Sequence, residues 1–281
     1  MLGKLMKYEF KATGKMFLLF YAGLIFMSIL NMLILPWGPT GDIDFLNSTN
    51  LTGGSIEIVT SVMQSLLFIM YILAAIAVSI VTFVAIVIRF YKLLGDEGYL
   101  MFTLPVKTSS HLVSKLLVSM VWFVSTSIVV VASIFIVIGD INIFSSISEA
   151  FKEASDMGLH PWAWVAFAIV AIILSGAVGI LEFYLAIAIG PHITRSRLGG
   201  TIIGYIIVYA IVQVIGSVSV FALMIPFNNF EDPFMSSASM ASSEWFLFST
   251  VSIYVIALLL ITAIPCYILT HHLIKNKLNL G

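Results

Sequence analysis

Charge is what this sequence has least of. Only 10% of its 281 residues are Asp, Glu, Lys or Arg, against about 25% in soluble globular chains. With 13 basic and 14 acidic residues the net charge is −1, so no basic surface points to nucleic acid as a partner. There is a single cysteine, Cys266. It excludes an intrachain disulfide and, set in an apolar run, reads as a small core hydrophobe. No stretch of polar sequence is long enough to fold as a separate water-soluble module. Strong apolar–polar alternation is also missing, which argues against a membrane β-barrel.

What is present is hydrocarbon. The chain is 60% hydrophobic, with a mean hydropathy of +1.11. A bilayer core needs about 20 apolar residues per helix. Six stretches meet that length, at about 17–36, 62–88, 113–138, 162–189, 201–225 and 246–270. Inside lipid no water satisfies the backbone, so each is expected to be a helix. The expected fold is therefore an all-α integral membrane protein, one transmembrane domain over 1–281. The basic start followed by an apolar run resembles a signal peptide. The run is too long for one and no A-x-A site follows, so it is read as a retained first span.

Twelve of the 13 bases fall in residues 1–16, 89–115, 190–200 and 271–281. The remaining base, Lys152, shares the other three connections with ten acids. The positive-inside rule puts the basic side in the cytoplasm, with both termini there. Trp37, Trp162 and Trp245 stand where interfacial anchors belong, and the outer connections are long enough for short interfacial helices but not for a domain.

In residues 1–16, Lys4, Lys7, Lys11 and Lys15 share one helical face and Leu2, Leu5, Met6 and Phe10 the opposite one. This pattern predicts an amphipathic helix lying at the headgroups before the chain turns into span one. Glu9 lands on its apolar face, where a lone carboxylate is costly. It either reaches water or an interfacial lysine, or pairs with a base such as Arg89 or Lys115.

The loop 89–112 between spans two and three contains GDEGYLMFTLPVKTSSH. Gly95 breaks span two, Pro105 ends a short apolar piece, and Thr108, Ser109 and Ser110 are candidate caps for the next helix. A plain connector needs only a few residues. Large apolar side chains beside Asp96 and Glu97 suit a contact surface, or else dip into the headgroups.

These residues resemble a family. The basic N-terminal helix with a glutamate (KLMKYEFK), six spans with both ends inside, and a span 2–3 loop reading DEGYLMFTLPVKTSSHLVSKLL are similar to the membrane subunits of ABC-2-type ABC exporters. The resemblance implies that the loop is a coupling helix, with Asp96, Glu97, Tyr99, Leu100, Met101 and Phe102 fitting a separate ATP-binding subunit. It implies that Glu9 lies on the interfacial helix bracketing that contact. It further implies a homodimer, or a heterodimer with a second permease, in the cell membrane. The outer loops are short, where larger family members carry a big extracellular domain.

This chain has no G-x-x-x-x-G-K-[ST], so ATP and Mg would belong to the partner. H-E-x-x-H and E-E-x-x-x-R are absent too, so the chain is not expected to be an enzyme. His271 and His272 point about 100° apart on a helix and lack a third ligand, so no metal site is expected.

Inside the spans one charge stands out. Glu182 lies eight residues before Gly190-Pro191, about 12 Å from the cytoplasmic end of span four. It is either a polar site in an inward-facing cavity, or a structural hydrogen-bonding or protonated acid. Gly200 and Gly204 have the spacing that lets helices approach closely, between two subunits or within one chain. Tyr184, Tyr205, Tyr209, Gln213 and Asn31 line a path or act as interhelical glue. The expected function is export of an amphipathic or hydrophobic substrate (a peptide, lipid or drug). The alternative is a non-transporting membrane protein of immunity or sensing.

Overall fold

The computed structural model describes residues 2–34, 54–94, 108–139, 142–157, 159–194, 196–228 and 240–276. Among these it is all helical: α1 (Leu2–Ile34), α2 (Gly54–Leu93), α3 (Thr108–Ile138), α4 (Ile143–Asp156), α5 (Pro161–Ile193), α6 (Arg197–Asn228) and α7 (Met240–Asn276). All but α4 are long and apolar enough to cross a membrane, as befits a multi-pass membrane protein. The spans expected from apolar length each coincide with one of these helices.

The boundaries differ in instructive ways. The helix expected over 1–16 and span one are a single 33-residue helix without a turn. Glycine costs a helix only about 1 kcal/mol relative to alanine, so Gly14 does not break it, and no proline occurs before Pro36. Similarly α5 runs through Pro191 and α7 through Pro265. In lipid a broken helix leaves more backbone unsatisfied than the one donor a proline removes. Helix α3 begins at Thr108, which puts Ser109 and Ser110 inside its first turn rather than at its cap. It ends at Gly139, whose φ of +62° needs glycine; the Gly139 N–H donates to the Phe135 carbonyl at 3.3 Å.

Helix α4 is the short amphipathic helix for which the connection had room. Glu149, Lys152, Glu153 and Asp156 stand on it, and it buries no residue. Its Phe144 stacks on Phe135 at 5.9 Å, and its Phe151 meets Trp162 at 4.7 Å.

The chain forms two compact units, and each of α1 to α4 contributes to both. The first is drawn from Lys7–Ala85 and Val121–Ser146. Phe17, Tyr21, Leu24, Tyr71, Val78 and Val137 make its core, with Trp122 stacked on Phe17 at 4.3 Å. Helices in lipid gain little from apolar burial and rely on close packing and hydrogen bonds. Here Thr126 of α3 joins Tyr21 of α1 at 2.7 Å and Thr82 of α2 at 3.2 Å, so one hydroxyl ties three helices. Replacing it, Thr126→Val, removes both bonds. At about 0.6 kcal/mol per such bond, the variant should lose about 1 kcal/mol, read from its unfolding midpoint in a detergent–SDS titration.

The second unit is drawn from Met1–Met6, Ile86–Met120 and Ile147–Gly281. Helix α5 is its axis. It packs along both α6 and α7, which touch each other far less. Leu181, Leu185, Val208 and Cys266 form the core there. Tyr254 of α7 donates a hydrogen bond to Ser219 of α6 at 2.8 Å.

Candidate functional site

Chemistry-bearing side chains gather in the second unit, along the Val178–Gly190 part of α5, where most residues are buried. Tyr184 is the hub. Its ring lies flat on Phe90 of α2, with centroids 3.7 Å apart and planes 8° apart. Its hydroxyl shares a hydrogen bond with Ser119 of α3 at 2.9 Å. The side chain is 1% exposed. Phe90 lies in the last turn of α2 and Ser119 is eleven residues into α3, so both stems of the 95–107 loop are held by one side chain of α5.

A second tie comes from Arg197 at the start of α6. Its Nη2 donates to the Leu94 carbonyl at 2.8 Å. A guanidinium there satisfies an orphan acceptor at the α2 end and faces the negative end of the helix dipole. Lys115 and His111, in the first turns of α3, are also buried.

The α5–α6 crossing is built on small residues. A Cβ on Gly200 would overlap the Gly190 carbonyl, reaching 2.7 Å from its carbon. A Cβ on Gly204 would stand 2.8 Å from the Ala186 carbonyl oxygen. Gly200 and Gly204 are thus spent on a contact within the chain. By contrast Gly179, also on α5, has open space where its Cβ would be.

Glu182, two residues before Tyr184, is the only charged residue of α5. It is half-buried. Among the described residues nothing gives it a hydrogen bond or an ion pair. Beside it Phe183 stacks on Tyr205 at 4.1 Å, and Tyr205 on Tyr209 at 6.0 Å.

The other sequence-derived candidates stand apart. Asp96, Glu97, Tyr99, Leu100, Met101 and Phe102 lie outside the described residues. Glu9 is half-buried on α1, and Thr13 Oγ1 donates to its carbonyl at 2.9 Å. Among the described residues no group of three potential metal ligands occurs. The first unit holds a cavity of about 460 Å³, lined by Phe68, Tyr71 and Ile76 of α2 and Ile134 and Val137 of α3. Its walls are apolar, because the Tyr71 hydroxyl is taken up by Ser133 at 2.8 Å. It offers no group that recognises charge.

The sequence left Tyr184 as path lining or interhelical glue; its partners Phe90 and Ser119 were not foreseen. The only trace of that tie was a tyrosine and a serine deep inside apolar runs. Arg197 was counted as a basic loop residue, and nothing local marks it as a cap for a helix one hundred residues earlier.

No family model, curated protein or solved structure matches this chain.

Proposed function

We propose that this chain is the membrane-spanning permease subunit of an ATP-driven ABC exporter, working in the cell membrane with a separate ATP-binding subunit. The observation that carries the reading is the anchoring of both stems of loop 95–107 on Tyr184, reinforced by Arg197 on the Leu94 carbonyl. A connector without mechanical work needs no such clamp. A loop that receives a push does, because force on its apolar segment must reach the spans rather than dissipate at the helix ends.

In this reading Asp96, Glu97, Tyr99, Leu100, Met101 and Phe102 meet the ATPase, which binds ATP and Mg. The basic side of the chain, including both termini, is cytoplasmic. Closure of the ATPases moves α2 and α3 together with α5, and so moves Glu182. The cargo is amphipathic or hydrophobic, since the spans carry little charge and the outer connections are short. A second permease subunit, identical or not, completes the pathway.

The test is purification of the chain from its native membranes in mild detergent, beside the Phe102→Asp variant. The wild type should bring down a stoichiometric ATPase chain. Phe102→Asp should lose it at least tenfold while still inserting, because a carboxylate buried against a partner cleft costs several kcal/mol. Full retention of the ATPase by the variant would overturn the loop assignment. A wild-type preparation without any ATPase would favour the immunity or sensing alternative.

A further inference from the structure

We infer that the cavity between α2 and α3 is a slot for one acyl chain of a membrane lipid, read by the length of the chain and not by the headgroup. The inference does not depend on the exporter reading and assigns no cargo.

The cavity belongs to one face of each helix and lies wholly within the first unit. From Phe68 to Ile76 its lining residues follow helical spacing over two turns of α2, about 12 Å of axis. Ile134 and Val137 face them from the last turns of α3. Tyr71 and Val137 are buried and form the floor. Ile72, Ile76 and Ile134 are exposed and form the rim. The cavity therefore closes against the core of the unit and opens at its surface. All these residues lie inside stretches apolar enough to cross a membrane, so what the rim faces is hydrocarbon.

Chemistry narrows the occupant. Water in such a space needs two to four polar partners. The Tyr71 hydroxyl is the only polar side-chain group among the lining residues, and it is joined to Ser133 at 2.8 Å. A charged or polar ligand finds no partner there either. Hydrocarbon fits, since apolar walls with no atoms opposite them forfeit dispersion energy. Size narrows the occupant further. A dry apolar cavity of about 150 Å³ takes one benzene. The cavity here measures about 460 Å³. At the benzene ratio it holds about 18 carbons, the content of a single lipid chain.

Shape and supply point the same way. A groove two turns long, open along one side, suits a flexible chain laid in it better than a compact molecule. In a bilayer the acyl chain is also the hydrocarbon present in excess. Lipid tails are as apolar as the side chains they meet, so moving one from lipid into the slot gains nothing from the hydrophobic effect. What the slot adds is close contact along the chain, which grows with each methylene. Length, and not headgroup, should therefore decide affinity.

The test is native mass spectrometry of the purified full-length chain, delipidated and then titrated with phosphatidylglycerol of different chain lengths. One lipid should bind ahead of the rest, roughly tenfold tighter in its dipalmitoyl than in its dilauroyl form. Dipalmitoyl phosphatidylcholine should bind as tightly as the matching phosphatidylglycerol. Ala75→Phe puts a ring into the slot. It should weaken that lipid roughly tenfold and erase the chain-length preference. Ala77→Phe, at an exposed position of α2 that does not line the slot, should leave both unchanged. Ile134→Trp narrows the mouth from the exposed rim, where a larger side chain does not overpack the core. It should repeat the loss, and it decides the matter if Ala75→Phe does not fold.

Equal lipid affinity in wild type and Ile134→Trp, or in wild type and a folded Ala75→Phe, would overturn the slot. So would a preference that follows the headgroup. Hexadecane that binds and is not displaced by the dipalmitoyl lipid would give the cavity to a free apolar ligand. A dimer that Ile134→Trp dissolves, with lipid affinity unchanged, would give it to a second copy of this chain. Either result overturns the acyl-chain assignment.

Discussion

Gly200→Ala, the addition of one methyl group, should destabilise this protein by about 3 kcal/mol, at the upper end of the range for overpacked cores. The new Cβ would overlap the carbonyl of Gly190. Backbone cannot rotate away as a side chain can, so α6 must lift off α5, and the neighbouring Gly204–Ala186 contact would loosen with it. In lipid this matters more than in water. Little apolar driving force holds two helices together, and close backbone packing supplies much of the attraction. The thermal midpoint of the purified chain should fall by on the order of 5–10 °C. Gly216→Ala is the control. Nothing lies within 4 Å of its added Cβ, so it should be neutral or gain up to about 1 kcal/mol of helix propensity. Equal midpoints for the two variants would mean that the α5–α6 crossing is not as close as described.

The second large effect is expected at Tyr184. Tyr184→Ala removes a side chain that is 1% exposed, the flat stack on Phe90 and the bond to Ser119. Deleting a buried aromatic side chain costs about 3–5 kcal/mol, most of it from the unfilled cavity. Tyr184→Phe keeps the ring and loses only the hydrogen bond, so it should cost about 0.6 kcal/mol. The gap between the two variants separates packing from hydrogen bonding. Hydrogen exchange gives the mechanical reading. In Tyr184→Ala, amides of residues 86–94 and 108–119 should lose protection together, because both stems lean on the same ring. Loss confined to one stem would show that the other is held elsewhere. Under the exporter reading the Ala variant should also bind the ATPase but respond weakly to ATP, since the push would no longer reach α5.

Much of the fold was legible in the sequence. Six apolar runs imply six helices because length and hydropathy are read locally, and because lipid leaves the backbone no other way to satisfy itself. Their ends were less legible. The continuity of α1 through residue 16 and of α5 through Pro191 follows from what the backbone loses when a helix stops, which a polar–apolar boundary does not report. Helix α4 was foreseen only as room for a short helix, yet its period of Phe144, Ile147, Phe151 and Ala154 was in plain view.

The candidate site was legible in part. Glu182 stood out as the only charge within its apolar run, a property of the sequence alone. That no hydrogen bond or ion pair reaches it among the described residues could not be read there. Nor could the choice among glycines: Gly179, Gly200, Gly204 and Gly216 look alike in the sequence, yet only two of the four face a neighbouring backbone. By itself, then, the sequence determined how many helices form, roughly where, and where charge is scarce enough to be noticed, since each of these depends on residues close together in the chain. The tertiary structure alone decided which small residues touch and which tyrosine gathers the stems of loop 95–107. Those outcomes depend on the rotation and depth at which helices tens to a hundred residues apart meet, and no local pattern carries that information.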